Sequence, residues 1–444
     1  MTRYFGTDGI RGVANKDLTP EIAFKIGAYL GTKSDRVIIG KDTRKSSSML
    51  ESAIASGLSA YGADAYKIGY TSTPCLAYTV ANGDFDYGIM ISASHNPYYD
   101  NGIKIFAKDG LKIDNAIEEK IEDYIDGKVA LKRAQSEKIG EIYDYREANG
   151  VYASWLYEHL YSDLKGLKVL FDLANGGAVY TFDRYKRYLD ASTYDVMNDG
   201  PDGININEDC GSTHLEALVQ RVKEGGYDVG FAFDGDADRV LACDSNGDIV
   251  DGDKLMYLLS LDLKEEGKLK DDVLVTTVMS NIGLYKALEA KGIRSVITAV
   301  GDRSVALEME SHDYRLGGEQ SGHIIIKEDG MFGDGLKSAL RILRIMIKSG
   351  KSLKELVKEV TIYPQLLVNK KTKHKKEIME DEEVLAYIKS LEAKLNGSGR
   401  LLVRPSGTEP LIRVMAEAKS DEECETIVYA FIDHLRDKGY IEEE

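Results

Sequence analysis

The chain has 444 residues, with 57 Lys and Arg against 74 Asp and Glu, for a formal net charge of −17. A surface that acidic repels phosphate backbones and anionic lipid, which argues against nucleic-acid and membrane partners. At roughly 150 residues per domain the length points to about three domains, and 43% hydrophobic residues with only seven prolines fit folded cores rather than extended disorder.

The N-terminal stretch Met1-Thr-Arg-Tyr-Phe-Gly6 lacks the apolar core of a signal peptide, and no apolar run approaches the ~18 residues of a membrane span. Three stretches then share one plan: β-rich run, helical segment, β run, polar loop. In the first, Arg36–Asp42 leads into a helical pattern over Ser46–Tyr61, and the run Tyr87–Ser92 ends in the loop Ala93–Pro97. In the second, Leu167–Leu173 precedes a helix near Val179–Leu189, and Val229–Phe233 ends in Asp234–Arg239. In the third, Asp272–Thr277 precedes a helix over Ile282–Ala290, then the run Ser295–Ala299 and the loop Gly317–His323. Short apolar runs alternating with helices indicate α/β domains with mixed, mostly parallel sheets, which bind ligands at the carboxyl ends of their strands. The charged segment Gln365–Glu382 reads as a solvated linker or exposed edge. After it, a helix (Glu383–Leu395), two strands flanking the loop Arg404–Pro410, and a helix near Asp421–Lys438 make a smaller α+β domain. The cysteines Cys75, Cys210, Cys243 and Cys424 are scattered, with no CxxC. They fit a reducing cytoplasm and offer neither a zinc site nor a disulfide framework.

Six loops carry candidate chemistry. Asp234-Gly-Asp-Ala-Asp238 places carboxylates at i, i+2 and i+4, on one side of an extended chain. Converging carboxylates repel unless a cation sits among them, and hard oxygen ligands suit Mg²⁺ or Ca²⁺. An EF-hand fails, because Arg239 stands where its glycine belongs and Ser245 where its glutamate belongs. Three aspartates leave room for water or a substrate phosphate, a magnesium habit, and Arg239 offers a bidentate partner to that phosphate. Ser92-Ala-Ser-His-Asn-Pro97 has no G-x-S-x-G elbow. A turn at Asp100-Asn-Gly102 would bring Lys104 back beside Ser94, and a serine near a cation and a metal can carry a phosphoryl group. Taken alone, Ser94 and His95 read as turn residues and Lys104 as an exposed strand lysine. Gly317-Gly-Glu-Gln-Ser-Gly-His323 offers Glu319 and Ser321 to sugar hydroxyls. Arg404-Pro-Ser-Gly-Thr-Glu-Pro410, with Arg413 nearby, forms a phosphate cradle. Gly301, Arg303 and Arg11 sit in further glycine-bearing loops.

Taken in chain order, the five motifs Tyr4–Gly12, Ile91–Pro97, Asp234–Arg239, Gly318–His323 and Arg404–Arg413 resemble the α-D-phosphohexomutase superfamily, and the branch acting on glucosamine phosphates most closely. The resemblance spans essentially the whole chain and implies four domains rather than three: 1–150, 151–252, 253–366 and 367–444, the last α+β, around one cleft. It implies a phosphoserine at Ser94 and a magnesium site of Asp234, Asp236, Asp238 and a Ser94 phosphoryl oxygen. Arg11, Lys104 and His323 would lie near the transferring group, with Lys104 as the proton-transfer partner. Glu319 and Ser321 would read the sugar 3- and 4-hydroxyls, and Arg404, Ser406, Gly407 and Thr408 would grip the non-reacting phosphate. The implied reaction interconverts glucosamine 6-phosphate and glucosamine 1-phosphate. A glucosamine 1,6-bisphosphate, or an equivalent hexose bisphosphate, serves as intermediate and activator. The expected partners are a small phosphosugar and a second copy of the chain. Rival readings are a mutase for mannose and glucose phosphates, disfavoured by Gln320, and a non-catalytic phosphosugar-binding protein. The sequence departs from the family at Ala237, where Gly is frequent, and at Lys45-Ser46-Ser47.

Overall fold

The computed structural model describes residues 3–6, 8–160, 164, 166–328, 330–406 and 410–441. Its residues divide into two compact units: Met1–Met279 with Gly292–Lys358, and Ser280–Lys291 with Glu359–Glu444. No helix among the described residues is long and apolar enough to cross a membrane.

The first unit holds three mixed sheets. The largest has seven strands in the order Phe5–Gly6, Gly9–Val13, Asp100–Ala107, Tyr87–Ile91, Arg36–Lys41, Asp64–Tyr70, Ile142–Asp144. The second runs Ile249–Val250, Val240–Asp244, Val229–Phe233, Val169–Asp172, Tyr194–Met197, and the third Arg294–Thr298, Val273–Thr277, Leu316–Gly318, Ile324–Ile326. All three repeat one device. A parallel strand (Tyr87–Ile91, Val229–Phe233 or Leu316–Gly318) meets a polar loop, and the chain returns antiparallel beside it. The three polar loops of the first unit are therefore hairpin connections at corresponding places in related sheets, which is the physical content of the repeat read from sequence.

These strands are apolar on both faces because helices cover them. In the first sheet Ile39, Ile89, Ile91 and Ile103 pack with Ile26 and Leu30 of the helix Pro20–Gly31 and Ile54 and Leu58 of the helix Ser47–Tyr61. Those helices meet through glycines. A Cβ on Gly57 would collide with the carbonyl oxygen of Phe24, and one on Gly27 with that of Ile54.

The second unit has one antiparallel sheet, Gln365–Lys371, Leu411–Glu417, Arg400–Pro405, with a core that includes Ile412, Val414, Leu391 and Phe431. The segment read as a linker is thus partly an edge strand, paired along all seven residues to Leu411–Glu417, followed by the helix Lys375–Glu380. Its last two residues, Lys370 and Lys371, run on into Lys373, Lys375 and Lys376, so the end of an edge strand looked like a charge run. The four cysteines are buried and free.

Candidate active site

The strand Tyr87–Ile91 delivers Ser94 into the interior, 1% exposed, with φ 54°. A non-glycine residue holds the left-handed region only where neighbours over-determine it. Here the Ser94 amide donates to Ser92 Oγ (2.9 Å), and its carbonyl accepts from Arg44 Nη2 (2.8 Å) and Asn207 Nδ2 (2.9 Å). Its hydroxyl then points at Asp234 Oδ2, 2.5 Å away. Arg44 is 1% exposed and is fixed by Asp42 (Nε to Oδ2, 2.8 Å); it also donates to the carbonyls of Asn96 (2.9 Å), Asp100 (3.2 Å) and Pro97. Neither Arg44 nor Asn207 stood out in the sequence, because each acts on backbone oxygens 50 or 113 residues away. The turn lies at Pro97–Asp100 rather than at Asp100–Gly102, and the return strand begins at Asp100. Lys104 nonetheless pairs opposite Met90, as the hairpin required.

The acidic loop follows the buried strand Val229–Phe233. It converges through a tight turn, not an extended run: Ala237 has φ 59°, and its amide donates to the Asp234 carbonyl (3.0 Å). That left-handed position explains why glycine fits there equally well. Carboxylate oxygens of Asp234, Asp236 and Asp238 lie within 4.8 Å of one another, all buried. Burial, then Asp238 and Asp236, push the Asp234 carboxyl well above its ordinary range. Asp236 accepts from Thr73 Oγ1 (2.5 Å) and Lys104 Nζ (2.9 Å), and Asp238 from Lys104 (3.0 Å). The second oxygens of Asp236 and Asp238, buried, have no hydrogen-bond partner. Buried, unpartnered hard acceptors in a three-carboxylate cluster fit a divalent cation.

Lys104 is 1% exposed and adds Asp8 at 3.1 Å to its two other carboxylates. Burial disfavours its charge, but Asp236, Asp238 and Asp8 outweigh that and hold it well above the usual lysine range. Three carboxylates thus hold its positive charge inside the cluster. Asp8 is the missed hub: Arg11, Lys104 and Lys112 all converge on it. Lys112 also pairs with Asp302, whose Oδ2 lies 3.7 Å from His323 Nε2. His323 is 6% exposed, and its Nδ1 has no hydrogen-bond partner. Arg11 Nη1 donates to Asn96 (3.3 Å), while the buried Nε groups of Arg11 and Arg239 are unpaired. The Arg239 amide donates to Asp234 Oδ1 (3.1 Å).

The sugar-loop candidates join this site through the backbone, since Arg239 and His323 form an antiparallel bridge. Glu319 and Ser321 are half-buried in the turn closed by the Gly322 amide on the Glu319 carbonyl (3.0 Å). Glu319 Oε1 accepts from the Gly301 amide at 3.1 Å, so Gly301 positions that carboxylate. Arg303 is turned elsewhere: it pairs with Glu118 (3.2 Å) and donates to the Ile113 carbonyl (3.0 Å). Gln320 donates to Asp251 at 3.2 Å.

In the second unit, Arg404 and Arg413 are cross-strand neighbours. Partial burial and the charge of Arg413 hold the Arg404 guanidinium below its ordinary value. Ser406 is 3% exposed, and its carbonyl accepts from Lys375 Nζ at 2.7 Å. The run read as solvated charge thus contributes a cation to this loop. Gly407 and Thr408 lie outside the described residues.

Four family models match in order. They are domains I (residues 2–131), II (152–247) and III (251–363) of phosphoglucomutase/phosphomannomutase, each alpha/beta/alpha, and the C-terminal domain (367–434). Among curated relatives, a phosphoglucosamine mutase of Geobacillus thermodenitrificans is 50% identical, covering 98% of this chain and 99% of the relative. One of Lachnoclostridium phytofermentans is 47% identical, covering 99% and 100%. A crystal structure of a Burkholderia thailandensis phosphoglucomutase/phosphomannomutase family protein shares the fold, with TM-score 0.80 at 23% identity over 99% of this chain and 98% of that one. So does Aspergillus fumigatus N-acetylphosphoglucosamine mutase, solved with GlcNAc-6P and magnesium, with TM-score 0.70 at 19% identity over 99% and 96%. With every domain matched in order and half of all positions identical to a full-length relative, the chain belongs to the phosphoglucomutase/phosphomannomutase family, whose members are phosphohexose isomerases.

Proposed function

We propose that this enzyme interconverts glucosamine 6-phosphate and glucosamine 1-phosphate through a phosphoserine at Ser94 and a glucosamine 1,6-bisphosphate intermediate. One observation carries the reading. Buried, unpaired donors on Arg11 and Arg239 face the same site as buried, unpaired acceptors on Asp236 and Asp238, with the Ser94 hydroxyl beside them. Such a site calls for an anion and a cation together. A phosphoryl group on Ser94 would satisfy the donors. Asp234, Asp236, Asp238 and a phosphoryl oxygen would hold Mg²⁺, which when bound offsets charge on the transferring group.

In the forward direction the Ser94 Oγ–P bond breaks as the sugar O1–P bond forms. Lys104 and the arginines hold the spreading negative charge in a dry setting. The O1 proton leaves to a base, and the unpartnered Nδ1 of His323 is the best-placed acceptor. The bisphosphate then turns end for end, and Ser94 takes back the 6-phosphoryl group. Glu319 and Ser321 read sugar hydroxyls, while Arg404, Ser406, Gly407, Thr408 and Arg413 grip the resting phosphate. Gly301 acts through Glu319, and Arg303 through Glu118 rather than on the sugar. The four divisions 1–150, 151–252, 253–366 and 367–444 each contribute one of these loops. On this reading the enzyme acts in the cytoplasm on a small phosphosugar, as a homodimer and without a nucleic-acid partner.

Comparing kcat/KM for glucosamine 1-phosphate, mannose 1-phosphate and glucose 1-phosphate tests the assignment. The amino sugar should lead by about 100-fold, roughly 2.7 kcal/mol of transition-state discrimination. A lead for mannose or glucose phosphate would make the chain a phosphomannomutase/phosphoglucomutase. Intact-mass measurement should show phosphate on the native enzyme and none on Ser94→Ala, which should lose activity by about 10³-fold or more. Full activity in Ser94→Ala removes the mechanism.

A further inference from the structure

A second pocket of about 610 Å³ lies in the first compact unit and shares no residue with the site around Ser94. That volume suits a small ligand. Lys268, Lys270, Arg315, Lys337 and Arg344 line it with Trp155, and Glu328 is the single carboxylate among its described lining residues. In a chain of net charge −17, five converging cations run against the composition.

Neighbouring acids offset part of that charge. Lys268 pairs with Glu266 (3.1 Å) and Glu328 (2.9 Å), Lys270 and Arg315 with Asp313 (3.6 and 2.9 Å), and Arg344 with Glu266 and Asp262 (2.5 and 3.2 Å). The side chains of Lys268, Lys270 and Arg315 are 53%, 40% and 39% exposed. Exposed pairs of this kind hold weakly and exchange readily for a phosphate oxygen. Lys337 is different: it is 3% exposed, donates to the Ile326 carbonyl (3.0 Å), and stands 5.3 Å from the centroid of the Trp155 ring. It brings a buried charge to the pocket wall. The indole is already packed against Tyr78 and Tyr152, at centroid distances of 4.7 and 5.8 Å. It offers no free face to stack a base, so recognition here rests on charge and on the two guanidinium forks.

We propose that this pocket binds a small oligophosphate anion, carrying two or more phosphoryl groups, held by Lys268, Lys270, Arg315 and Arg344 over Lys337. Five cations spread over this volume suit several phosphoryl groups better than one. The site stands independently of the chemistry assigned to Ser94.

Trp155 is the only tryptophan in the chain, so its fluorescence reports this pocket. The full-length, magnesium-loaded enzyme would be titrated with inorganic pyrophosphate, by calorimetry for affinity and by tryptophan emission for location. The expected result is saturable binding below about 1 mM that shifts Trp155 emission and weakens as salt rises. Inorganic phosphate should bind at least about ten-fold more weakly. The triple substitution Lys268→Gln, Lys270→Gln, Arg315→Gln should raise the pyrophosphate Kd by about ten-fold or more, leaving mutase kcat/KM unchanged. Absence of saturable heat overturns the proposal. So does equal affinity in the triple variant, which would place the anion elsewhere.

Discussion

Arg44 fixes the loop around Ser94 by holding four of its carbonyls while its own charge is met by Asp42. Arg44→Met removes the fork and strands the buried Asp42 carboxylate, so unfolding free energy should fall by about 3–5 kcal/mol, read from urea titrations. Arg44→Lys keeps the charge without the fork. It should remain folded yet lose about 100-fold in kcat through misplacement of Ser94. His95 gives a pH signature. Burial, then the charges of Arg239 and Arg11, hold its imidazole down to about 4 from an ordinary 6.5. Between those values the unfolded chain takes up a proton that the folded chain refuses, so stability falls as pH drops from 6.5 towards 4. His95→Gln should flatten that slope by at most about 1.4 kcal/mol per pH unit, measured by chemical denaturation at several pH values. Ser94 and the three aspartates, which the fold brings together, were legible because they sit in short polar loops ending apolar runs. Asp8, Thr73, Arg44 and Asn207 were not, because only the fold brings them to partners 50 to 163 residues away.

Three hairpins at matching positions in three sheets place the loops Ala93–Pro97, Asp234–Arg239 and Glu319–His323 of the first unit. This element-scale regularity was legible as strand–helix–strand order, since buried parallel strands read as apolar runs. The antiparallel return was anticipated only for the strand carrying Lys104, because short return strands carry little pattern of their own. The edge strand Gln365–Lys371 was hidden for another reason: its terminal Lys370 and Lys371 merge into the lysine run that follows, and charge masks the strand. The close crossing of the first two helices has a direct test. Gly57→Ala puts a methyl onto the Phe24 carbonyl and forces the helices apart. It should cost about 1–3 kcal/mol, seen as a lower urea midpoint at unchanged slope.

At the scale of the whole molecule, the net charge of −17 says little about the substrate, because Arg11, Lys104 and Arg239 are set locally among buried carboxylates. The division into units also departs from simple succession along the chain. Ser280–Lys291 belongs with Glu359–Glu444, tied there by the Ile282 amide to Glu417 Oε2 (3.0 Å), Asn281 Nδ2 to the Tyr363 carbonyl (2.9 Å) and Arg400 Nη2 to the Ser280 carbonyl (2.6 Å). A fragment spanning 359–444 should therefore gain about 1–3 kcal/mol when residues 280–291 are tethered to it, measured by its melting curve against the bare fragment. The same interleaving sets a clock on biosynthesis. Glu417 leaves the ribosome 135 residues after Ile282, a lag of roughly 7–27 s at about 5–20 residues per second. Through that interval the segment around Ile282 waits without its partners, and the C-terminal unit is the last part of the chain able to fold.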